Sequence, residues 1–226
     1  AAALGAALTG EGGGGLLHAS APGAGRVNLY SRAPGVVELD EAALCALNSV
    51  DPMISFACVH PYAQTAPGSM VGTVKIISYA VAADALARAA AIARDGARGG
   101  LGGALRIRPV ILRDADLVVT RSSPRTVPDK GIAAVRGRLE ALGMTLRDLR
   151  EVVHETGAIA DALAAGRADL QLILTASATS DARDAAPEGL RAAGGRLLRF
   201  GMPVDPGNLL FLGEIGARPV IGLPGC

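Results

Sequence analysis

Residues 175–187 read Thr-Ala-Ser-Ala-Thr-Ser-Asp-Ala-Arg-Asp-Ala-Ala-Pro. An apolar run ends at Thr175, small and hydroxyl residues follow, and a helix is expected to begin near Asp184 or Pro187. That order suits a phosphate. Small residues let the backbone approach a ligand, Ser177, Thr179 and Ser180 add donors, and the N–H groups that open a helix favour an anion. Asp181, Arg183 and Asp184 put two carboxylates and a guanidinium at the same point. The plainer arrangement has Asp184 capping the helix and Arg183 paired with Asp181 at the surface. Spacing alone leaves both open.

A second loop, residues 120–131, offers Arg121, Ser122, Ser123 and Arg125 as phosphate partners; its plainer reading is a polar loop with Asp129 as a helix cap. Two Pro-Gly steps complete the set. Pro206-Gly207 precedes Asn208, and Pro224-Gly225 follows an apolar run. Each can form a rigid turn with bare backbone.

These loops need a frame that brings them together. Residues 116–120 (Asp-Leu-Val-Val-Thr) are a short apolar run, as in a strand covered on both faces. Ile132, Val135, Leu139 and Leu142 trace one helical face over 131–142. The alternation goes on with strands over 149–154 and 169–175 and helices over 157–165 and 187–193, the last stopped by Gly194-Gly195. Further short strands are predicted over 197–200, 209–214 and 219–223. Alternating strands and helices predict a parallel sheet with right-handed crossovers, whose ligands lie beyond the carboxyl ends of the strands. The loops after Thr120, Thr175 and Leu223 are expected to meet there in one site.

The front half has a different texture. An alanine-rich helical segment leads into glycines 12–15, read as a flexible linker. Strand pieces within 26–39 flank an Ala33-Pro34-Gly35 turn, and a helix over 40–49 starts at an Asp40 cap. Strands over 54–60 and 70–80 and a helix over 82–94 follow, with glycines from 96 to 103 as a second mobile connection. Lys75 interrupts an apolar strand and reads as an edge-strand charge. The predicted fold class is α/β. A three-layer domain with a mainly parallel sheet spans 106–226, and a smaller α+β unit spans 1–105.

Composition narrows the function classes. Half of the 226 residues are hydrophobic, aromatics are 3% and Trp is absent, so the core is Ala, Val, Leu and Ile rather than disorder. A net charge of +1 gives no footprint for nucleic acid. No apolar run reaches the roughly 18 residues of a membrane span, and the start lacks a signal-peptide pattern. Cys45, Cys58 and Cys226 are far apart and odd in number. They read as two small core residues and a terminal thiol in a reducing cytoplasm. His18, His60 and His154 are too scattered to argue a zinc site.

Four segments, in order, resemble a known family. Residues 127–132 (Val-Pro-Asp-Lys-Gly-Ile) resemble the aspartate-bearing loop that opens the first helix of molybdopterin adenylyltransferases. Residues 175–187 resemble their strand, Gly-Gly-Thr-Gly loop and Arg-Asp helix start, with Arg183-Asp184 on the Arg-Asp. Residues 201–213 and 219–225 resemble the Pro-Gly and Leu-Pro-Gly turns of molybdopterin molybdenumtransferases. Where the family has paired glycines this chain has Ala176 and Ser177, followed by Ala178, Thr179 and Ser180. Residues 25–29 and 70–77 resemble the segment before this domain in bacterial molybdopterin-binding proteins, some of which continue into a cytidylyltransferase-like domain. Relatives continue past the last Pro-Gly turn, so the chain is expected to be a fragment.

The resemblance implies a molybdopterin-binding domain of molybdenum cofactor biosynthesis, with the pterin phosphate as ligand. Adenylyl or molybdate transfer would follow, with ATP and Mg²⁺. It makes Asp184 and Asp129 the metal or activating carboxylates, with Mg²⁺ on Asp184, and Arg183 a phosphate partner. Thr175, Ser177, Thr179, Ser180, Asp181, Ser122, Ser123, Pro206, Gly207, Asn208, Pro224 and Gly225 would line the substrate. A cytoplasmic homo-oligomer working beside other enzymes of the pathway is expected. The alternative is a non-catalytic carrier that hands molybdopterin to a fused nucleotidyltransferase-like domain. Outside the family, a doubly wound nucleotide- or sugar-phosphate-binding domain remains. The substituted glycines favour the carrier; Asp129 and Asp184 favour the enzyme.

Overall fold

The structure is a computed structural model that describes residues 1–10, 15–96, 103–122, 129–176 and 179–224, the side chain of Asp129 excepted. The chain divides into two compact units, Ala1–Val110 and Ile111–Cys226.

The first unit holds α1 (Ala2–Thr9), β1 (Leu17–Ala19), β2 (Arg26–Ser31), β3 (Gly35–Leu39), α2 (Glu41–Asn48), β4 (Ile54–Cys58), β5 (Gln64–Thr65), β6 (Met70–Ile76), α3 (Ala83–Asp95) and β7 (Leu105–Pro109). Its strands form two antiparallel sheets, ordered β1-β2-β6-β4 and β5-β3-β7. Period-two alternation turns Val27, Leu29 and Val74 inward, and the register shift opposite Leu29-Tyr30 buries Val71 as well; Leu4 and Leu8 of α1 and the small Ala89 and Ala93 of α3 close the core. Asp40 caps α2, its Oδ1 accepting the Ala43 N–H at 3.0 Å, as its position before the apolar periodicity predicts.

Two expectations fail in this unit. Lys75 is not at an edge: β6 is paired on both sides, with Lys75 opposite Arg26 and Ser55, and alternation sends it to the exposed face. Cys45 and Cys58 are exposed rather than core residues. Ala43, Leu44 and Leu47 already fill the inward face of α2, and Cys58 ends β4 beyond the buried Ile54 and Phe56. Glycines 12–14 and residues 97–102 lie outside the described residues, so the two glycine-rich connections are not described in full.

The second unit is α/β, as predicted. It holds β8 (Asp114–Arg121), α4 (Asp129–Ala141), β9 (Thr145–Val153), α5 (Thr156–Ala165), β10 (Leu170–Leu174), α6 (Ala185–Ala192), β11 (Arg196–Phe200), β12 (Phe211–Ile215) and β13 (Arg218–Leu223). One six-stranded sheet runs β11-β12-β13-β10-β8-β9. β9, β8, β10 and β13 are mutually parallel; β12 is antiparallel to β13 and β11 to β12. The order reverses at β8, because β9 lies on one side of it and β10 on the other. Right-handed crossovers therefore put α4 and α5 on opposite faces. Val118 and Ile173 pack with Ile159 and Leu163 of α5 and Leu190 of α6. The intervening Leu117, Val119, Leu172 and Leu174 are buried on the other face.

Candidate functional site

In open parallel sheets the crevice for a ligand lies beyond the carboxyl ends of the strands, where the order reverses. Here that point is between β8 and β10. Val119 stands opposite Leu174, so Thr120, next to last in β8, and Thr175, just past β10, come side by side. Leu174 is also opposite Leu223, which brings Pro224 into the same row.

The row is tied together by buried hydroxyls. Thr120, 1% exposed, accepts the Ala176 N–H on Oγ1 at 2.8 Å, and the same oxygen lies 2.8 Å from Nδ1 of His154. The His154 N–H donates to the Arg121 carbonyl at 3.0 Å. Thr175 donates through both its N–H and its hydroxyl to the Leu223 carbonyl, each at 3.3 Å, and the Thr179 hydroxyl approaches Thr175 Oγ1 at 3.5 Å. Buried polar atoms require such partners. Thr175 and Thr179 therefore join strand ends, a more structural placement than two hydroxyls held free for a ligand.

The loop into α6 departs from the plainer arrangement. Asp184 occupies the N-cap position, but its side chain makes no bond to the helix. Its carboxylate turns back, and Oδ2 accepts the N–H groups of Ser180 at 2.7 Å and Asp181 at 3.1 Å. Asp181 accepts the backbone N–H of Arg183 at 2.8 Å and makes no ion pair with its guanidinium. The Arg183 side chain is exposed and has no hydrogen bond or ion pair among the described residues. Arg191 instead steadies the loop by donating to the Ala182 carbonyl at 2.7 Å.

The other sequence candidates are distributed as follows. Ser122 is exposed just beyond β8. Arg121 is engaged with Glu151 across β8 and β9 and is not turned freely into the loop. Pro206, Gly207 and Asn208 lie in the connection from β11 to β12, closed by Met202 N–H to the Asn208 carbonyl at 3.0 Å and Leu210 N–H to the Gly207 carbonyl at 3.1 Å. That connection is at the same end of the sheet, but β12 and β13 separate β11 from β10. Three strand spacings make roughly 14 Å. Ser123, Arg125, Ser177, Gly225 and Cys226 lie outside the described residues. Asp129 begins α4, and its side chain is likewise outside them.

For a metal, no three His, Cys, Asp or Glu side chains converge among the described residues. Asp184 has one carboxylate oxygen already committed to two amides, so these residues do not build a magnesium cage of their own. Mg²⁺ keeps several waters and commonly uses one or two carboxylates plus phosphate oxygens.

Sequence reasoning missed His154. It named the loops after three strands and passed over the loop after β9, although the same strand-end rule applies to it. His154 follows Val153, the last residue of β9.

No family model matches the sequence, and no curated protein matches it. Among solved structures, the chain is similar to the protein CinA, of unknown function, from Thermoplasma acidophilum. That match has 16% identity and a TM-score of 0.42, covering 50% of this chain and 88% of that one. It is also similar to the molybdopterin biosynthesis MoeA protein from Pyrococcus horikosii, with 12% identity and a TM-score of 0.40. That match covers 86% of this chain, which spans 62% of the other. No described helix is long and apolar enough to cross a membrane.

Proposed function

We propose that the second unit binds molybdopterin through its phosphate at the carboxyl ends of β8, β10 and β13, in the service of molybdenum cofactor biosynthesis. The observation that carries this reading is the Thr120–Ala176 junction. It joins the two strand ends that flank the reversal of the sheet. The connection from β11 to β12 leaves from the same end, because β11 runs in the direction of β10.

In this reading Ser122, Ser123, Ser177 and Ser180 donate to the phosphate and Arg183 neutralises it. Asp181 and Asp184 shape the loop from which Arg183 projects. Pro224 and Gly225 offer backbone. Asp129 and Asp184 are the carboxylates for transfer chemistry. ATP and Mg²⁺ would enter together as substrate, the metal carried on the nucleotide phosphates. The carrier reading has a specific observation in its favour: Asp184 spends Oδ2 on the loop's own amides.

The test is a titration of the full chain with molybdopterin, and separately with ATP and Mg²⁺, followed by product analysis. Saturable pterin binding with an adenylylated or metallated product makes the unit a transferase. Binding without product makes it a carrier. No pterin binding removes the proposal and leaves the general phosphate-binding reading.

A further inference from the structure

The pair Thr120–His154 does more than the proposed reading uses, and an inference from it rests on that reading's site. Thr120 Oγ1 meets two nitrogens at 2.8 Å, the Ala176 amide and His154 Nδ1. The amide can only donate, so it takes one lone pair of the hydroxyl. The buried hydroxyl has no other acceptor for its proton among the described residues, so it donates to Nδ1, and the Nε2 nitrogen carries the ring proton of the neutral imidazole. Nε2 has no partner among the described residues and is not among their buried unpartnered atoms; the ring is half-buried. A hydrogen-bond donor thus stands at the carboxyl end of β9, on the face of Thr120 and Thr175.

The face follows from register. Thr120 is opposite Val152, and His154 is two residues further along β9, so its side chain returns to the same side. Val152 packs into the cluster of α5 and α6. His154 therefore lies on the face of Thr120, one strand from the point where the strand order reverses.

We infer that His154 is a phosphate-contacting residue of this site, its Nε2–H donating to a ligand phosphate oxygen, and that Thr120 is its positioning residue. The same hydroxyl holds Ala176 at the start of the loop 176–184, so the imidazole and the loop are set by one atom. A ligand phosphate that engages both gains a pre-oriented donor at no further ordering cost.

The probe is inorganic pyrophosphate, titrated into the full chain labelled with ¹⁵N-histidine. The chain has three histidines, so His18→Gln and His60→Gln assign the third ring. The expected result is a saturable shift of the His154 Nε2 resonance. His154→Leu, which carries no donor, should weaken pyrophosphate about tenfold, the effect of one lost hydrogen bond to a charged group. Thr120→Ser should bind as wild type, because it keeps the hydroxyl. Thr120→Val should weaken binding and speed exchange of the Ala176 amide, with melting temperature as the folding control. A silent His154 ring, or wild-type affinity in His154→Leu, overturns the inference. Molybdopterin binding measured in parallel separates the two failures. Pterin bound with His154 silent sinks only this contact, whereas a shifted ring with no pterin binding sinks the pterin assignment alone.

Discussion

Asp116 on β8 faces Gln171 on β10 across one parallel rung, and both side chains are buried, 6% and 1% exposed. Asp116 Oδ2 accepts the N–H groups of Arg167 at 2.7 Å and Ala168 at 3.0 Å, pinning the turn that enters β10. Gly166 fits above them: a Cβ there would lie 2.6 Å from Gln171 Nε2 and 3.1 Å from Asp116 Oδ2. This anchor at the start of β10 fixes its register on β8, and the register sets Thr120 beside Thr175 at the other end. Asp116→Ala strips two amides of their acceptor and is expected to cost about 1–3 kcal/mol. Asp116→Asn keeps an acceptor oxygen and should cost less. Urea denaturation of both variants checks the order.

Gly222 illustrates a residue kept for packing. It pairs with Phe211 across β12 and β13, and the fully buried Phe211 ring occupies the space a Cβ would need. The ring is held in the core with Leu190 and Val220, so it cannot swing out cheaply. Gly222→Ala should destabilise the unit by about 1–3 kcal/mol through overpacking. A thermal melt within experimental error of wild type would count against this account.

Glu38 gives the first unit a dependence on acid. On β3 it meets two arginines of β7: Arg108 Nε reaches Oε2 at 2.6 Å, and Arg106 Nη2 reaches Oε2 at 2.6 Å. The hydrogen bond from Arg108, joined by the charge of Arg106 and opposed by desolvation, holds the carboxyl below its ordinary value of 4.5. A lowered carboxylate pKa adds stability that is present above the ordinary value and is lost as pH falls through the folded one. Glu38→Gln should therefore cost stability at pH 7, about 0.5–1 kcal/mol for a partly exposed pair. The difference should shrink below pH 4.5 and vanish in stronger acid. Denaturation of wild type and variant at pH 7 and pH 3 tests the sign.

The parallel alternation of the second unit was legible because β8 and β10 each carry a short apolar run, over 117–119 and 172–174, and α4 keeps its spacing of Ile132, Val135 and Leu139. β9 was seen only from Leu149, since Thr145–Asp148 at the sheet's edge alternates with charges and carries no apolar run. β1 and β7 were hidden for a like reason: one is three residues long, and the other interleaves Arg106 and Arg108 with Leu105 and Ile107. The cysteines misled because an average preference for burial says nothing of which side of α2 is already full. Asp184 was found by its position after a strand, but not its orientation. Which way a carboxylate turns depends on the loop's own amides, and residue spacing does not encode that.

Arg183 is the exposed cation of the proposed site, with no partner among the described residues to lose. Arg183→Ala should leave the melting temperature unchanged. If it meets phosphate, molybdopterin binding should weaken by about 1.5–3 kcal/mol, the range of a charge-assisted hydrogen bond. Calorimetric titration reads the change. Equal affinity in the variant would confine Arg183 to the solvated surface.

Asp184 separates transferase from carrier. Its Oδ2 holds the amides of Ser180 and Asp181, a task that Asn can share through its carbonyl oxygen. Asp184→Asn should thus fold normally and keep the loop, while Asp184→Ala should loosen it. Only charge is lost in the first variant. A transferase that uses this carboxylate on its nucleotide's metal, or on charge developing in the transition state, should lose turnover by orders of magnitude and keep most of its pterin affinity. Interactions made only in the transition state raise the rate without tightening the ground state. A carrier has no turnover to lose, and its affinity should hold or rise slightly, because a negative charge near the bound phosphate has gone. The assay is ATP- or molybdate-dependent product formation by wild type and both variants, with pterin affinity measured beside it. Wild-type turnover that survives Asp184→Asn would remove Asp184 from the chemistry and leave it as the residue that shapes the loop.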